Sequence, residues 1–445
     1  MAELVDAHGL GPCGVKPVGV RVSVSAKASG GTMLENNYKK IKEEGCSVTY
    51  EVNIKDKDFS DLEEKAIIRV QAEVVYPGFR KGKVPVDIIK KHFYDAVKSE
   101  IKEVSVREVL DTIFEKEKIF PVVPPSVFDI NMDEKNKKIS FKLYFEQSPK
   151  FEVKDYTGFE VKRNLKTITE ADIDNHLNMI REYNAYLKPV EGQSVSKNHY
   201  LIVDYEIYEN GNKIDELKNE IVDMSSPQNI VGFEQAVLGA NKGDTREFET
   251  EFDGKKMKFI VKINDIKEKV VPEIDENFIK QLGAKDMNDL KEQVKKILEA
   301  EEVQKSEKSV IEQIENHLVS KNDFPLPPTL VKQEIEELFE MIKKRSNIPP
   351  DQKVELKDYE EKIRPIAERN LRVTYILHAI AKKENIKATE DDFYKELDRV
   401  IKTLKTEDEI GKARNLFEQR KDYIMASISE NKTIDFIKSK ITIKD

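Results

Sequence analysis

The sequence predicts a multidomain α+β chain: an α+β N-terminal domain, a small antiparallel β domain and an extended all-α C-terminal region. Three observations carry that reading. At 445 residues the chain has the length of about three domains, each able to bury its own core. Apolar and polar residues alternate around 47–54, 201–207 and 248–263, the period of half-buried strands, whereas from about Glu273 apolar residues recur at helical spacing almost to the end. Proline and glycine stand where one period gives way to the other. The boundaries read from these shifts are 34–150, 165–268 with a leading linker helix, and 269–445.

Residues 1–33 stand apart, rich in Gly, Val and Ala where the remainder is rich in Lys, Glu, Ile and Asn. Asp6, His8 and several glycines interrupt any signal-peptide core. The stretch reads as a non-native extension, translated from a start placed too far upstream, with Met33 the true first residue; a disordered native extension is the alternative. The intact mass of the natively expressed protein distinguishes them.

In the N-terminal domain, Val48, Tyr50, Val52 and Ile54 alternate with polar residues as a strand. Ser60-x-x-Glu63 has the form of a capping box, with Leu62, Ala66, Ile67, Val70 and Val74 as the apolar stripe of the helix behind it. Pro77-Gly78 ends that helix. A second opens near Pro85 and runs through Ile88, Ile89, Phe93, Val97 and Ile101 to about Lys118. Residues Ile139 to Phe145 form another strand.

Residues 165–188 read as a helix capped by Thr169, with Ile173, Leu177 and Ile180 on one face. Leu201, Val203, Tyr205 and Ile207 then alternate up to Asn210-Gly211, and Phe248, Thr250 and Phe252 up to Asp253-Gly254. Asn-Gly and Asp-Gly supply the positive φ of tight hairpin turns, so two antiparallel hairpins are expected. In the C-terminal region, Pro325, Pro327-Pro328, Pro349-Pro350 and Pro365 punctuate amphipathic helices with stripes such as Leu330, Ile335, Leu338, Phe339 and Ile342.

Composition excludes several functions. No apolar run approaches the roughly 18–20 residues of a membrane span. Cys13 and Cys46 are the only cysteines and the six histidines are dispersed, so no metal site is expected. The cysteine usage fits a reducing cytoplasm. There is no phosphate-binding Gly-x-x-x-x-Gly-Lys-Ser/Thr loop, so neither ATP nor another cofactor is expected. A net charge of -9 argues against indiscriminate nucleic-acid binding.

Against that charge, Gly78-Phe79-Arg80-Lys81-Gly82-Lys83-Val84-Pro85 is conspicuous. Between Tyr76 and His92 lie five basic residues (Arg80, Lys81, Lys83, Lys90, Lys91) and one acid, Asp87. A basic turn is most simply a solvated loop, but an aromatic set between two glycines points to docking. Such a tip suits phosphate oxygens or a carboxylate-bearing protein surface.

The loop resembles the signature of trigger factor, the bacterial ribosome-associated chaperone, and the resemblance extends over the chain from about residue 34. It implies a ribosome-binding domain, an FKBP-like prolyl isomerase domain and a helical chaperone domain, in that order. Gly78, Phe79, Arg80, Lys81, Gly82 and Lys83 would then dock on the large ribosomal subunit, on ribosomal protein and rRNA at the tunnel exit. The helical region would shelter nascent and unfolded polypeptides without ATP, and a homodimer is one form the free protein could take. In the middle domain, Ile230-Val231-Gly232-Phe233-Glu234 is similar to the family's Ile-Pro-Gly-Phe/Trp-Glu turn, with Val231 in place of proline. By the same resemblance Tyr205, Ile214, Asp215, Ile230, Phe233 and Phe259 would line the isomerase pocket. Tyr205, Phe233 and Phe259 read equally well as the core of a small β domain. Ile214 replaces an aromatic, and no tyrosine lies between Phe252 and Phe259, so isomerase activity is expected to be weak. A chain that is mainly a prolyl isomerase, or a holdase that works off the ribosome, is the competing reading.

Overall fold

The computed structural model describes residues 37–252, 255–345 and 355–445. The 1–33 segment, the Asp253-Gly254 turn and Ile348 with Pro349-Pro350 lie outside the described residues. The chain forms two compact units, one from the residues up to Arg163 with Ser309–Asp445, the other from Asn164–Lys308. The segment 269–308, expected to begin the helical region, thus groups with the β-rich unit. The fold is α+β and multidomain.

The first unit opens with β1 (Tyr38–Glu44), β2 (Ser47–Lys55), α1 (Asp56–Glu73), α2 (Val86–His92), α3 (Tyr94–Glu117), β3 (Ser126–Asp133) and β4 (Lys138–Glu146). The strands make an antiparallel sheet in the order β1-β2-β4-β3. Period-2 alternation turns Val48, Tyr50, Val52 and Ile54 of β2 and Ile139, Phe141, Leu143 and Phe145 of β4 inward. They pack with Leu62, Ala66 and Ile67 of α1 and Ile101, Val104 and Ile113 of α3 in one core.

Two local expectations are corrected. The Ser60-x-x-Glu63 box is not the cap: α1 starts at Asp56, and the Ser60 hydroxyl donates to the Asp56 carbonyl at 3.0 Å. A serine inside a helix satisfies itself this way without starting a new one. The run from Pro85 to Lys118 is two helices, broken at Phe93 (φ -125°, ψ 32°), whose ring stands edge-on to Tyr76 at 6.1 Å. Tertiary packing of that ring overrides a continuous helical pattern.

After β5 (Glu160–Lys162) the chain enters the second unit with α4 (Glu170–Tyr183). Thr169 caps α4 as expected, its hydroxyl accepting from the Asp172 N–H while the Asp172 carboxylate accepts from Thr169 N. The helix stops at Tyr183, short of the expected 188, because Tyr186–Pro189 becomes strand β6. Then come β7 (His199–Glu209), β8 (Asn212–Asp223), the short α5 (Phe233–Val237), β9 (Thr245–Phe252) and β10 (Lys255–Val270). Asn210 and Gly211 both hold positive φ, 51° and 82°, in the β7–β8 turn. The order is β6-β10-β7-β8, with β9 also on β10. At 16 residues, β10 is long enough to pair β9 along Lys255–Lys262 and β6 along Lys267–Val270. That second pairing draws residues 186–189 out of the helix. A smaller core joins Ile173 and Leu177 of α4 to Ile279 of α6 (Glu276–Gln281) and Leu290 and Val294 of α7 (Met287–Lys321).

The rest of α7 belongs to the first unit, with α8 (Pro328–Arg345), α9 (Glu360–Lys383), α10 (Glu390–Ile401), α11 (Glu407–Gln419), α12 (Lys421–Ser439) and β11 (Thr442–Lys444). Ile335 and Phe339 of α8 meet Ile363, Ala367 and Leu371 of α9, and Leu330, Leu338 and Ile342 flank them. Val310, Ile314 and Leu318 of α7 pack with Ile376, Leu377 and Ile380 of α9 and Ile434 and Ile437 of α12. Pro365 does not end a helix; it sits inside α9, on its exposed side. Glu361, four residues earlier, whose carbonyl loses its N–H partner to the proline, is itself an exposed residue, so water can serve that carbonyl instead.

Glu146 joins the sheet to these helices. Fully buried at the end of β4, it accepts from Thr329 N (3.0 and 3.2 Å), Thr329 Oγ1 (2.7 Å) and Tyr144 OH (2.8 Å). It thereby caps the start of α8, where free N–H groups favour a carboxylate. Beside it Cys46 Sγ donates to the Pro325 carbonyl at 3.1 Å, and burial pushes this thiol up to about 11.

The C-terminal strand clasps β5. β11 pairs with it in parallel, Thr442 N bonds the Phe159 carbonyl (3.0 Å) and Arg163 N bonds the Lys444 carbonyl (2.7 Å). At about 1 kcal/mol net per hydrogen bond, deleting residues 442–445 should loosen this segment by about 2–3 kcal/mol. Tryptic cleavage at Lys154, Lys162 and Arg163 is expected to accelerate by more than tenfold; an unchanged rate would mean β11 does not hold it.

Acids that are buried (Glu315, Glu334) or half-buried (Glu430) make this unit pH-sensitive. Glu430 of α12 is raised to about 7 by burial and then by the Glu315 carboxylate. Glu315 of α7 is itself raised by burial, against the opposing Arg369 guanidinium at 2.9 Å, and Glu334 of α8 is raised by burial against a hydrogen bond from Asn370. An acid whose folded pKa lies above its unfolded value near 4.5 binds its proton more tightly when folded. Its stabilisation is complete below pH 4.5 and is lost as pH rises through 7. From Glu430 alone, stability should fall by roughly 3 kcal/mol between pH 5 and pH 8, at ~1.4 kcal/mol per unit. Calorimetry of Glu430→Gln should show a flatter profile and a higher melting temperature at pH 8; an unaltered slope would refute it.

Candidate functional site

The tip between α1 and α2 is built from two consecutive turns. Phe79 N bonds the Tyr76 carbonyl at 3.1 Å, and Lys83 N bonds the Arg80 carbonyl at 2.9 Å. Gly78 (φ 86°) and Gly82 (φ 79°) occupy the third position of each turn. Neither Pro77 nor Lys81 has positive φ, so both are type II turns, which favour glycine at that position. Val84, fully buried, anchors the return, and its carbonyl accepts from Gln71 Nε2 at 2.6 Å.

This backbone lifts Phe79, Arg80, Lys81 and Lys83 outward. Phe79 is 40% exposed, and Val75 and Val86 beside the tip are exposed as well. Lys90 is paired with Glu63 at 3.0 Å. Arg80, Lys81, Lys83 and Lys91 have no carboxylate partner among the described residues. Asp87 is the single acid between Tyr76 and His92, so the tip is cationic because it carries no acids of its own. All six expected loop residues, Gly78 to Lys83, therefore fall on one protruding element. The residues beneath were not anticipated: Tyr76 lies under Phe79 at 6.3 Å, with His92 at 5.2 Å and Phe93 at 6.1 Å. Aromatic spacing on both sides of the loop was the available signal.

In the second unit, Tyr205, Phe233 and Phe259 come together as expected. Tyr205 lies 5.8 Å from Phe233 and 6.4 Å from Phe259, all three buried, with Ile230 packed against them. Burial raises the Tyr205 phenol above its usual range. Phe248 completes the group, stacked on Phe259 at 5.1 Å and edge-on to Phe233 at 6.2 Å. Counting register outward from Asp253-Gly254 pairs residue 248 with 259, so this neighbour was legible. Gly232 allows the close approach: at φ 92°, a Cβ there would meet the Phe248 ring at 3.2 Å.

Ile214 and Asp215 do not join them. Ile207 pairs with Asp215 but Tyr208 with Lys213, which leaves Ile214 as the extra residue of a bulge, 49% exposed. Asp215 accepts from Glu216 N on the surface. Leu217, not Ile214, stands opposite Tyr205. A groove of about 550 Å³ opens beside Tyr208, Met257, Lys258 and Ile260. Tyr208, Lys258 and Ile260 alternate with the core-facing Ile207, Phe259 and Val261, so it lies on the other face of the sheet.

Among the described residues no group of three His, Cys, Asp or Glu could hold a metal ion, and no helix is long and apolar enough to cross a membrane.

Comparison with known proteins gives consistent matches. The family model for bacterial trigger factor protein matches residues 36–180, and that for the trigger factor C-terminus matches residues 286–439. Residues 181–285 lie outside both. Trigger factor of Aquifex aeolicus is 29% identical over all of this chain and 95% of its own length. That of Alkaliphilus oremlandii is 29% identical over 89% of this chain and 97% of its own, and that of Geobacter sulfurreducens 26% over 88% and 93%. A solved structure of the trigger factor chaperone aligns with 91% of this chain and 99% of its own at 18% identity and a TM-score of 0.47, too distant to support an argument about arrangement.

Proposed function

The chain belongs to the trigger factor family, and on that premise we propose that it is an ATP-independent chaperone that docks beside the ribosomal exit tunnel and shelters nascent polypeptides. The observation that carries the docking reading is the tip: an exposed Phe79 flanked by Arg80, Lys81 and Lys83, none of them paired with a carboxylate among the described residues. Cations left unpaired on a rigid turn are free to form charge-assisted hydrogen bonds with phosphate or carboxylate, and Phe79 adds apolar contact. Docking concentrates the chaperone surface around the emerging chain, so weak individual contacts with a client suffice.

Co-sedimentation with bacterial 70S ribosomes tests the reading. The full chain should pellet with ribosomes at physiological salt and be released as salt is raised. A chain that stays in the supernatant throughout would leave a chaperone that works off the ribosome.

The middle domain is proposed to be a weak prolyl isomerase. Twisting an X–Pro amide needs a dry concave site that favours the transition state over the planar ground state. Tyr205, Phe233, Phe248 and Phe259 pack on one another, and Ile214 lies outside the group. Turnover of a proline tetrapeptide should fall at least tenfold below that of a complete FKBP domain; full FKBP-like turnover would overturn this.

A further inference from the structure

We propose that Tyr76 is a positioning residue for ribosome docking: it holds the Phe79 ring in its outward, binding-ready orientation. The inference rests on the docking reading above and adds a residue outside the signature loop. Phe79 is large, apolar and 40% exposed, on a turn with glycines on both sides. Such a side chain would ordinarily sample many orientations, and ordering it on binding would cost affinity.

Tyr76 restricts that freedom. Its carbonyl accepts from Phe79 N at 3.1 Å, closing the first turn, and its ring lies 6.3 Å from the Phe79 ring at 44°. Tyr76 is in turn fixed from below. Phe93 meets it edge-on at 6.1 Å, His92 lies against it at 5.2 Å, and its hydroxyl stands 3.5 Å from His92 Nε2. Tyr76 and Phe93 both pack on the core of the N-terminal domain. The break between α2 and α3 falls at Phe93, which places His92 and Phe93 beneath the tip. An aromatic column therefore runs from the domain core through Tyr76 to Phe79. Tyr76 need not touch the ribosome to matter; it acts by reducing the orientations Phe79 must give up.

The chain contains no tryptophan, so Phe79→Trp introduces a single indole at the tip. Tyr76→Ala in that background should increase the fast component of its anisotropy decay at least twofold in the free protein, while Tyr76→Phe should leave it unchanged. In the otherwise natural chain, Tyr76→Ala should weaken ribosome binding about three- to tenfold, the size of an aromatic pair's coupling. With Phe79→Ala already present, the same change should alter binding less than twofold. Tyr76→Leu, which keeps apolar volume without the ring, should behave like Tyr76→Ala and guards against a fold defect. Equal weakening with and without the Phe79 ring, or an indole whose anisotropy decay ignores Tyr76, would overturn the proposal. If the indole loosens as expected but the full chain does not bind ribosomes, positioning stands and the docking reading falls.

Discussion

Replacing Phe79, Arg80 and Lys81 together with alanine should reduce ribosome affinity by at least a hundredfold and leave the fold intact. The two cations have no ion-pair partner among the described residues, so no carboxylate there is left unsatisfied when they are removed. What is lost lies at the interface. Each charge-assisted hydrogen bond contributes about tenfold or more, and burial of a phenylalanine a similar factor. Because such effects are not additive, a hundredfold is the lower bound of the expected loss. If Arg80 and Lys81 contact rRNA phosphates, the slope of log K against log salt should become shallower by up to about 2. The melting temperature should hardly move, since exposed substitutions usually change stability by less than about 0.5 kcal/mol. Glycines 78 and 82 are untouched, so both turns remain. Wild type and variant pelleting equally would show that the tip is a solvated loop and the anchor lies elsewhere.

Phe233→Ala should have the largest effect on stability, confined to the unit Asn164–Lys308. Phe233 is fully buried at the start of α5, where it meets Tyr205 at 5.8 Å and Phe248 at 6.2 Å. Removing a buried phenylalanine costs about 3–5 kcal/mol, partly as lost transfer energy and partly as the cavity left behind. Amide exchange of the most protected strand residues in β7 and β10 should accelerate by two to three orders of magnitude, while β2 and β4 of the other unit keep their rates. This experiment also separates the two readings of the aromatic group. Core residues lose stability on truncation; a ring lining an open substrate pocket loses activity with a loss of less than about 1 kcal/mol.

Much of the molecule was legible from local pattern. Period-2 alternation identified β2, β4, β7 and β9, and Asn210-Gly211 located the β7–β8 turn, because side-chain direction along a strand is fixed by backbone geometry alone. The tip was legible for the same reason: Pro77-Gly78 and the Lys81-Gly82 step specify their turns whatever surrounds them. Thr169 and Asp172 likewise cap α4 through bonds that span three residues.

Other features required partners distant in sequence. Whether Ile214 faces a pocket depends on the β7–β8 register, and a bulge of one residue turned it to the surface and put Leu217 opposite Tyr205. Helix and strand compete over residues 184–189, and the free edge of β10, some eighty residues later, decided for strand. Phe93 fits a helical stripe, yet its contact with Tyr76 breaks the helix. Glu146 has the sequence context of a strand end and became the buried cap of α8, 183 residues away. By itself the sequence determined β2, β4, β7 and β9, the capped start of α4 and the Asn210-Gly211 turn, and placed a cationic aromatic tip between two helices. The tertiary structure decided register, helix breaks and which polar groups are buried, because those depend on the summed free energy of long-range contacts that no local window contains.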